Sequence, residues 1–245
     1  DKMFCERMSV ELGDHIIGGS THLLRWMLSQ GYDLLNEKIF VQPNILSTEV
    51  LDGVISKRSL KPGDRVSIDE IVFFGRLEAR KGLDIFINSI NNLINSEVKL
   101  PSKISFMGKP GARIETRPDL NVLEFIKESS DHWPTEVQIL TEFQQEAALS
   151  YLLDGDRLAV MPSHIENSSL AVYEASICGI PFIASNSGGT PELVEEKYHK
   201  DVLCDAHPLT LQKQLKAALT NGAIVAAPTF DNKENTKTWI SYHRN

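Results

Sequence analysis

Residues 157–185 read RLAVMPSHIENSSLAVYEASICGIPFIAS. Two short apolar runs, RLAVMP and PFIAS, flank a helix-length segment, SSLAVYEASICG, which follows the polar loop SHIEN. A strand, a helix and a second strand in immediate succession make a βαβ unit, and such units build parallel sheets. The same alternation extends upstream, where EIVFFG (70–75), KISFMG (103–108) and EVQIL (136–140) are further candidate strands. Between them, KGLDIFINSINNLINS (81–96) carries Leu83, Phe86, Ile87, Ile90, Leu93 and Ile94 at helical spacing, and LNVLEFIKESS (120–130) and QQEAALSYLL (144–153) add two more helical segments. Near-continuous apolar strands predict a sheet covered on both faces.

The expected fold is therefore α/β, a doubly wound Rossmann-like parallel sheet, with its domain over residues 48–226. Residues 1–47 fall outside that unit. Within them, DHIIGGSTHLLRWMLSQGYDLLNEKIFVQPN (14–44) reads as strand, helix and strand, and LSTEVLDGVISKRSLKPGD (46–64) as a polar, turn-forming linker. Residues 227–245 lie beyond the unit too, and DNKENTKTWISYHRN (231–245) has a helical face through Trp239, Ile240 and His243.

With 245 residues and 42% hydrophobic content, the chain can bury a sizeable core. No apolar run reaches the roughly 18 residues of a membrane span, and DKMFCERMSVELGD at the start lacks the basic-then-apolar layout of a signal peptide, so a cytoplasmic location is expected. A net charge of -8 argues against nucleic-acid binding, which draws on clustered Lys and Arg. Cys5, Cys178 and Cys204 form no Cys-x-x-Cys pair and are expected to be reduced, mostly buried thiols.

Ligands of open parallel sheets bind beyond the carboxyl ends of the strands. Three loops there carry chemistry. In FFGRLEARKGLD the strand ends at Gly75, Arg76 follows, and Lys81 and Gly82 open a helix. A guanidinium, an ammonium and helix-start N–H groups together suit a diphosphate. In MPSHIENSSLAVYEAS, Asn167 or Ser168 can cap a helix through Ser169 and Leu170, with Glu166 in the loop and Glu174 about two turns in. Side chains eight residues apart on a helix point about 80° apart, so the two carboxylates are expected to serve separate parts of one elongated ligand rather than act as an acid/base pair. Taken singly, Glu166 is better read as a loop carboxylate near a helix start and Glu174 as a solvent-facing helix residue. The third loop, ASNSGGTPELVEE, has a glycine pair that permits close backbone approach, then a helix with proline near its start.

In order and spacing these loops resemble the retaining glycosyltransferases of the GT-B fold, family 4. That family shows Gly-Arg-Leu-x-x-x-Lys-Gly, matched by Gly75 to Gly82. It also shows Pro-Ser, Glu-x7-Glu, Cys-Gly-x-Pro and Gly-Gly-x-Pro-Glu elements, which read here as PSHIENSSLAVYEASICGIPFIASNSGGTPELV (162–194). The resemblance implies that Glu166 is the catalytic-site carboxylate facing the sugar of a nucleotide-sugar donor, such as a UDP- or GDP-sugar, and that Glu174 binds the ribose hydroxyls. Gly75, Arg76, Lys81, Asn167, Ser168, Ser169 and Leu170 would complete the donor site, Arg76 and Lys81 neutralising the diphosphate. With no Asp-x-Asp and no His/Asp cluster to hold a divalent ion against the diphosphate, and two cations and a helix start available instead, no metal and no other cofactor is expected. Where many members have Glu-Gly-Phe-Gly, this chain has Glu166-Asn167-Ser168-Ser169.

The resemblance also assigns the ends. Residues 1–47 match the end of the N-terminal, acceptor-side domain, 48–226 the donor-binding domain and 227–245 the helix that crosses back. The implied partners are the donor and an N-terminal domain of the same polypeptide, with any membrane association arising outside this chain. A dehydrogenase is disfavoured because no Gly-x-Gly-x-x-Gly follows a strand, and a nucleotide triphosphatase because Gly-x4-Gly-Lys-Ser/Thr is absent. His164 and Glu166 match the His-x-Glu of zinc deaminases without the partner Pro-Cys-x-x-Cys. A sugar-nucleotide epimerase and a non-catalytic nucleotide-sugar-binding module remain open alternatives.

Overall fold

A computed structural model describes residues 2–35, 38–55, 60–96, 98–112, 114 and 117–244. In chain order the helices and strands begin with α1 (Lys2–Glu11), β1 (Ile16–Gly18), α2 (Thr21–Ser29), β2 (Ile39–Val41), α3 (Thr48–Ile55) and β3 (Arg65–Val66). Next come β4 (Glu70–Phe74), α4 (Leu83–Ile94), β5 (Lys103–Met107), α5 (Val122–Ser130), β6 (Glu136–Leu140), α6 (Gln145–Leu153) and β7 (Arg157–Met161). The remainder are α7 (Leu170–Cys178), β8 (Phe182–Ser185), α8 (His199–Val202), β9 (Leu203–Cys204), α9 (Pro208–Asn221), β10 (Ala223–Ile224) and α10 (Asn232–Tyr242).

Six strands form one parallel sheet in the order β6-β5-β4-β7-β8-β9. Counted from β4, this is the doubly wound order 3-2-1-4-5-6. The side-chain period of two then divides the core between the faces. Ile71, Phe73, Ile104, Phe106, Leu158 and Val160 point to one face and pack with Phe86 and Ile90 of α4, Ile126 of α5 and Leu211 and Leu215 of α9. Val72, Met107, Ala159 and Met161 point to the other and pack with Leu149 and Leu152 of α6 and Val172 and Tyr173 of α7. The sheet is covered on both faces, as its apolar strands predict.

At the amino ends of the central strands sits a buried polar network. The Glu70 carboxylate accepts from Ser105, from the Tyr151 hydroxyl (2.8 Å) and from Arg157 Nε (2.7 Å), with Lys103 Nζ at 3.5 Å. Burial pushes the Glu70 carboxyl up, but the hydrogen bonds from Ser105, Arg157 and Tyr151 and the Lys103 charge outweigh it and hold it below the usual range.

Several expectations are corrected. LSTEVLDGVI is not a turn-forming linker: α3 forms there, burying Val54 against α6 and α7, and residues 56–59 of the predicted linker lie outside the described residues. On α10 the buried side chains are Asn232 and Asn235, whereas Ile240 and His243 are exposed and Trp239 half-buried. This helix docks through asparagines and one aromatic stack rather than through the predicted face: Asn232 exchanges two hydrogen bonds with the Leu46 backbone, Asn235 donates to the Asn44 carbonyl, and Tyr242 stacks on Phe40 of β2. Cys178 is buried and Cys204 half-buried, but Cys5 is exposed on α1. The strand, helix and strand expected in residues 14–44 are β1, α2 and β2, with β1 and β2 paired in parallel. Among the described residues no helix is long and apolar enough to cross a membrane.

Candidate functional site at the switch point of the sheet

The connection from β4 runs toward β5, while β7 lies on the other side of β4, so the loops after β4 and β7 diverge and open a crevice at the carboxyl end of the sheet. After β4, Gly75 donates to the Met107 carbonyl (3.0 Å) and the chain turns through a 3-10 turn, Ala79–Lys81. Gly82 follows with φ of 75°, and a Cβ there would overlap the Pro162 carbonyl oxygen of the β7–α7 loop. Only glycine meets both demands, and α4 starts directly after it. The His164 amide donates to the Arg80 carbonyl (3.1 Å), and its ring Nε2 lies 3.3 Å from Asp84 at the start of α4, so contacts tie the two loops to each other at this juncture.

This juncture brings Lys81 onto Glu166. Their side chains form an ion pair, with 22% of the lysine and 10% of the glutamate side chain exposed. Arg76 stands elsewhere: its side chain is 61% exposed and its guanidinium lies 3.8 Å from Glu78, which also pairs with Arg80 at 3.1 Å. The two cations expected to share one spot thus have different carboxylate partners, one partly buried in the crevice and one at its rim.

The start of α7 differs from the expectation. Its N-cap is Ser169, whose side chain makes no capping bond. Asn167 and Ser168 do not cap because residues of the first segment claim them: Ser20 donates to Asn167 Oδ1 (2.6 Å), and Asn44 donates to the Ser168 hydroxyl (3.0 Å) and carbonyl (3.2 Å). The backbone from Asn167 to Leu170 is thereby positioned from outside the sheet domain. Ser169 is buried and Leu170 is 45% exposed.

Because α7 begins at Leu170, Glu174 lies little more than one turn in, not two. It is not solvent-facing: only 6% of it is exposed. Burial pushes its carboxyl above the usual carboxylate range, and a hydrogen bond donated by Gln145 Nε2 to Oε1 partly opposes that shift. Glu166 and Glu174 therefore have separate partners, Lys81 and Gln145. Gln145 is not among the site residues expected from the sequence, because its contact depends on a partner on another helix.

The third loop is a 3-10 turn, Thr190–Leu193, rather than the expected helix. Val194 at once becomes extended and bridges Pro228, which ends the turn. Gly188 has φ of 61° and lies so close to Glu166 that a Cβ would overlap its carbonyl oxygen, while the Gly189 amide donates to that same oxygen (3.1 Å). The glycine pair thus packs under the Glu166 backbone. Glu192, which closes the Gly-Gly-x-Pro-Glu element but received no role from sequence, accepts from the Thr21 amide (2.8 Å) and the His22 amide (2.6 Å), which open α2, a favourable place for an anion. Between this turn, Ser20, Ser168 and Asn235 lies a cavity of about 280 Å³. Among the described residues, no three His, Cys, Asp or Glu side chains gather as a metal cluster.

Chemically, the crevice offers an ammonium paired to a carboxylate, an arginine at the rim, a helix start without a side-chain cap from its N-cap residue, and a buried carboxylate one turn further. Known proteins share this arrangement's frame. Anabaena HepE, solved with UDP and glucose, superposes with a TM-score of 0.69 at 16% identity over 97% of this chain and 65% of that one. Sucrose-phosphate synthase from Thermosynechococcus elongatus gives 0.64 at 18% identity over 90% of this chain and 53% of that one. These likenesses show the fold, that of GT-B glycosyltransferases. In sequence, the D-inositol 3-phosphate glycosyltransferase of Jonesia denitrificans is 28% identical over 152 residues, 62% of this chain and 35% of that protein. Granule-bound starch synthase 1 of Ipomoea batatas is 25% identical over 199 residues, 79% of this chain and 31% of that protein. The chain spans about a third of the length of these curated relatives. The family model described as Glycosyl transferases group 1 matches residues 69–221, from the amino end of β4 through α9 and so across every loop of the crevice, and the chain belongs to that family.

Proposed function

We propose that this chain is the donor-binding part of a retaining, metal-independent glycosyltransferase that moves a sugar from a nucleotide-sugar, such as a UDP- or GDP-sugar, to an acceptor held by another domain of the same polypeptide. The observation that carries this reading is the Lys81–Glu166 pair at the switch point of the sheet. When the bond between the anomeric carbon and the phosphate oxygen breaks, its electron pair leaves with the diphosphate, and negative charge grows there. Lys81, Arg76 and the backbone N–H groups at the start of α7 stabilise that charge without a metal ion. Glu166, set beside Lys81, faces the sugar, and Glu174 takes the ribose hydroxyls. Gly75, Asn167, Ser168, Ser169 and Leu170 shape the wall around the phosphates. The acceptor oxygen then bonds to the anomeric carbon on the face the leaving group vacated, while its proton passes to the departing phosphate oxygen, which gives retention. Support for the donor class comes from HepE, whose structures contain UDP and UDP-glucose.

The experiment is a thermal-shift panel of nucleotide-sugars on this chain with a chelator present, followed by transfer assays on the longer protein. A hit raises the unfolding temperature, and Glu166→Ala in the longer protein lowers turnover more than donor affinity. Strict dependence on Mn²⁺ would overturn the metal-independent reading. Release of a free, inverted nucleotide-sugar would identify an epimerase, and tight binding with no transfer a binding module.

A further inference from the structure

We propose that Gln145 is a positioning residue for the donor's ribose: it holds the Glu174 carboxylate in the orientation in which its remaining acceptor capacity meets the vicinal hydroxyls. The proposal rests on the reading of Glu174 as the ribose-binding carboxylate and adds the residue on which that reading depends.

Gln145 is the first residue of α6, and α6 packs beside α7, so its side chain reaches Glu174 on the neighbouring helix. Like the other loop residues of the crevice, it follows the carboxyl end of a strand, here β6. Gln145 itself is exposed, whereas Glu174 is 6% exposed, so the amide sits over a carboxylate that solvent scarcely reaches. It donates from Nε2 to Oε1. A buried carboxylate with no donor is costly and tends to stay protonated, and a protonated carboxyl accepts poorly from a diol. The amide counters both tendencies, stabilising the charged form and leaving Oε2 and the second lone pair of Oε1 as acceptors. A glutamine suits this task because it carries donors without a positive charge that would itself compete for the carboxylate as a salt-bridge partner.

The test measures binding of UDP, GDP and their 2′,3′-dideoxy counterparts by calorimetry, from mildly acidic to mildly alkaline buffer. The proteins are the wild type, Gln145→Leu, Gln145→Asn and Glu174→Gln. Gln145→Leu is expected to bind the ribonucleotide roughly tenfold or more weakly, the scale of one hydrogen bond to a charged group, with the dideoxy compound nearly unaffected. Its deficit shrinks as pH rises, because Glu174 is then ionised without help, and Gln145→Asn recovers part of the affinity. A Gln145→Leu loss that is equal for ribo and dideoxy compounds, or that does not change with pH, would overturn the proposal while Glu174→Gln still discriminates between them. If Glu174→Gln does not discriminate either, or if neither diphosphate binds the wild type, the ribose reading itself fails and takes the proposal with it. Gln145→Leu leaves the buried Glu174 carboxylate without its donor and should lower the unfolding temperature modestly, so unchanged affinity for the dideoxy compound is the control that separates weakened ribose binding from damaged folding.

Discussion

Lys81 and Glu166 stand 85 residues apart in the chain and form an ion pair across the crevice between the loops that follow β4 and β7. The pair is mostly screened from water, so its members are coupled more strongly than surface charges are. Removing either one alone leaves its partner as an unpaired charge. Lys81→Ala and Glu166→Ala should each destabilise the chain by roughly 1 to 3 kcal/mol, and the double variant by clearly less than their sum. Denaturant unfolding of the four proteins measures this directly, and additive losses would show that the pair contributes nothing.

The same lysine is the cation that the proposed donor would take from Glu166. Lys81→Ala should therefore also weaken UDP binding by roughly 1.5 to 3 kcal/mol, the range for a hydrogen bond to a charged group. Arg76→Ala should weaken it less, because that side chain is 61% exposed and shares Glu78 with Arg80. Calorimetry with both variants decides the order, and a larger Arg76 effect would move the phosphate site to the rim.

Two glycines hold the loops in register. At Gly82 and Gly188 an alanine would meet a positive φ and a carbonyl oxygen at overlapping distance, from Pro162 and Glu166 respectively. The left-handed backbone alone costs roughly 1 to 2 kcal/mol for a side-chain-bearing residue, and the clash adds to it. Gly82→Ala and Gly188→Ala should each lose at least about 2 kcal/mol of stability, with Gly188→Ala also lowering donor affinity because the Glu166 backbone must shift. Near-wild-type unfolding of either variant would mean that the loops move apart readily.

How much of this was legible beforehand follows from where each signal resides. The strands around β4 and β7 announce themselves because burial on both faces leaves their apolar runs nearly continuous, and Lys81, Glu166 and Glu174 stand in motifs of recognisable spacing. Helix α3 was missed because LSTEVLDGVI is polar at its start and contains Gly53, and the face through Val54 gains its stability only from α6 and α7. Asn167 and Ser168 look like caps by local rules, yet Ser20 and Asn44, 147 and 124 residues distant, take their side chains. Gln145 stands in no motif, and Glu192, though it closes the Gly-Gly-x-Pro-Glu element, shows nothing there of the α2 amides it accepts from. Their meaning lies in a partner on another element, which no window of sequence contains.

Glu70 predicts the acid behaviour of the fold. Its folded-state pKa lies below the ordinary 4.5, so the stabilisation it contributes is fully present above that value and is lost as pH falls through the lower, folded one. Glu70→Gln leaves Arg157 and Lys103 without their buried counter-charge and should lose roughly 3 kcal/mol at neutral pH. Its stability should then fall less steeply than the wild type's on acidification. Parallel stability curves for the two proteins would refute the assignment.

Glu174 should behave in the opposite sense. Its folded-state pKa lies above the ordinary 4.5, because burial disfavours the charged carboxylate more than the Gln145 hydrogen bond favours it. A raised pKa means that the folded chain holds a proton which the unfolded chain releases, so stability declines as pH rises from about the ordinary value through the folded one. Keeping an ionised carboxylate ready for a ligand thus costs the empty protein stability at neutral pH. Glu174→Gln removes that cost while preserving size and an oxygen that can accept from Gln145. The variant should therefore unfold at a higher temperature than the wild type at neutral pH, and the gap should close in acid, where both side chains are uncharged. With UDP present the ranking should reverse, since only the wild type offers a charged acceptor to the ribose. Unfolding temperatures of the two proteins across pH, with and without UDP, test each step. A Glu174→Gln variant that is less stable at neutral pH would mean that Glu174 is a structural carboxylate rather than one held for a ligand.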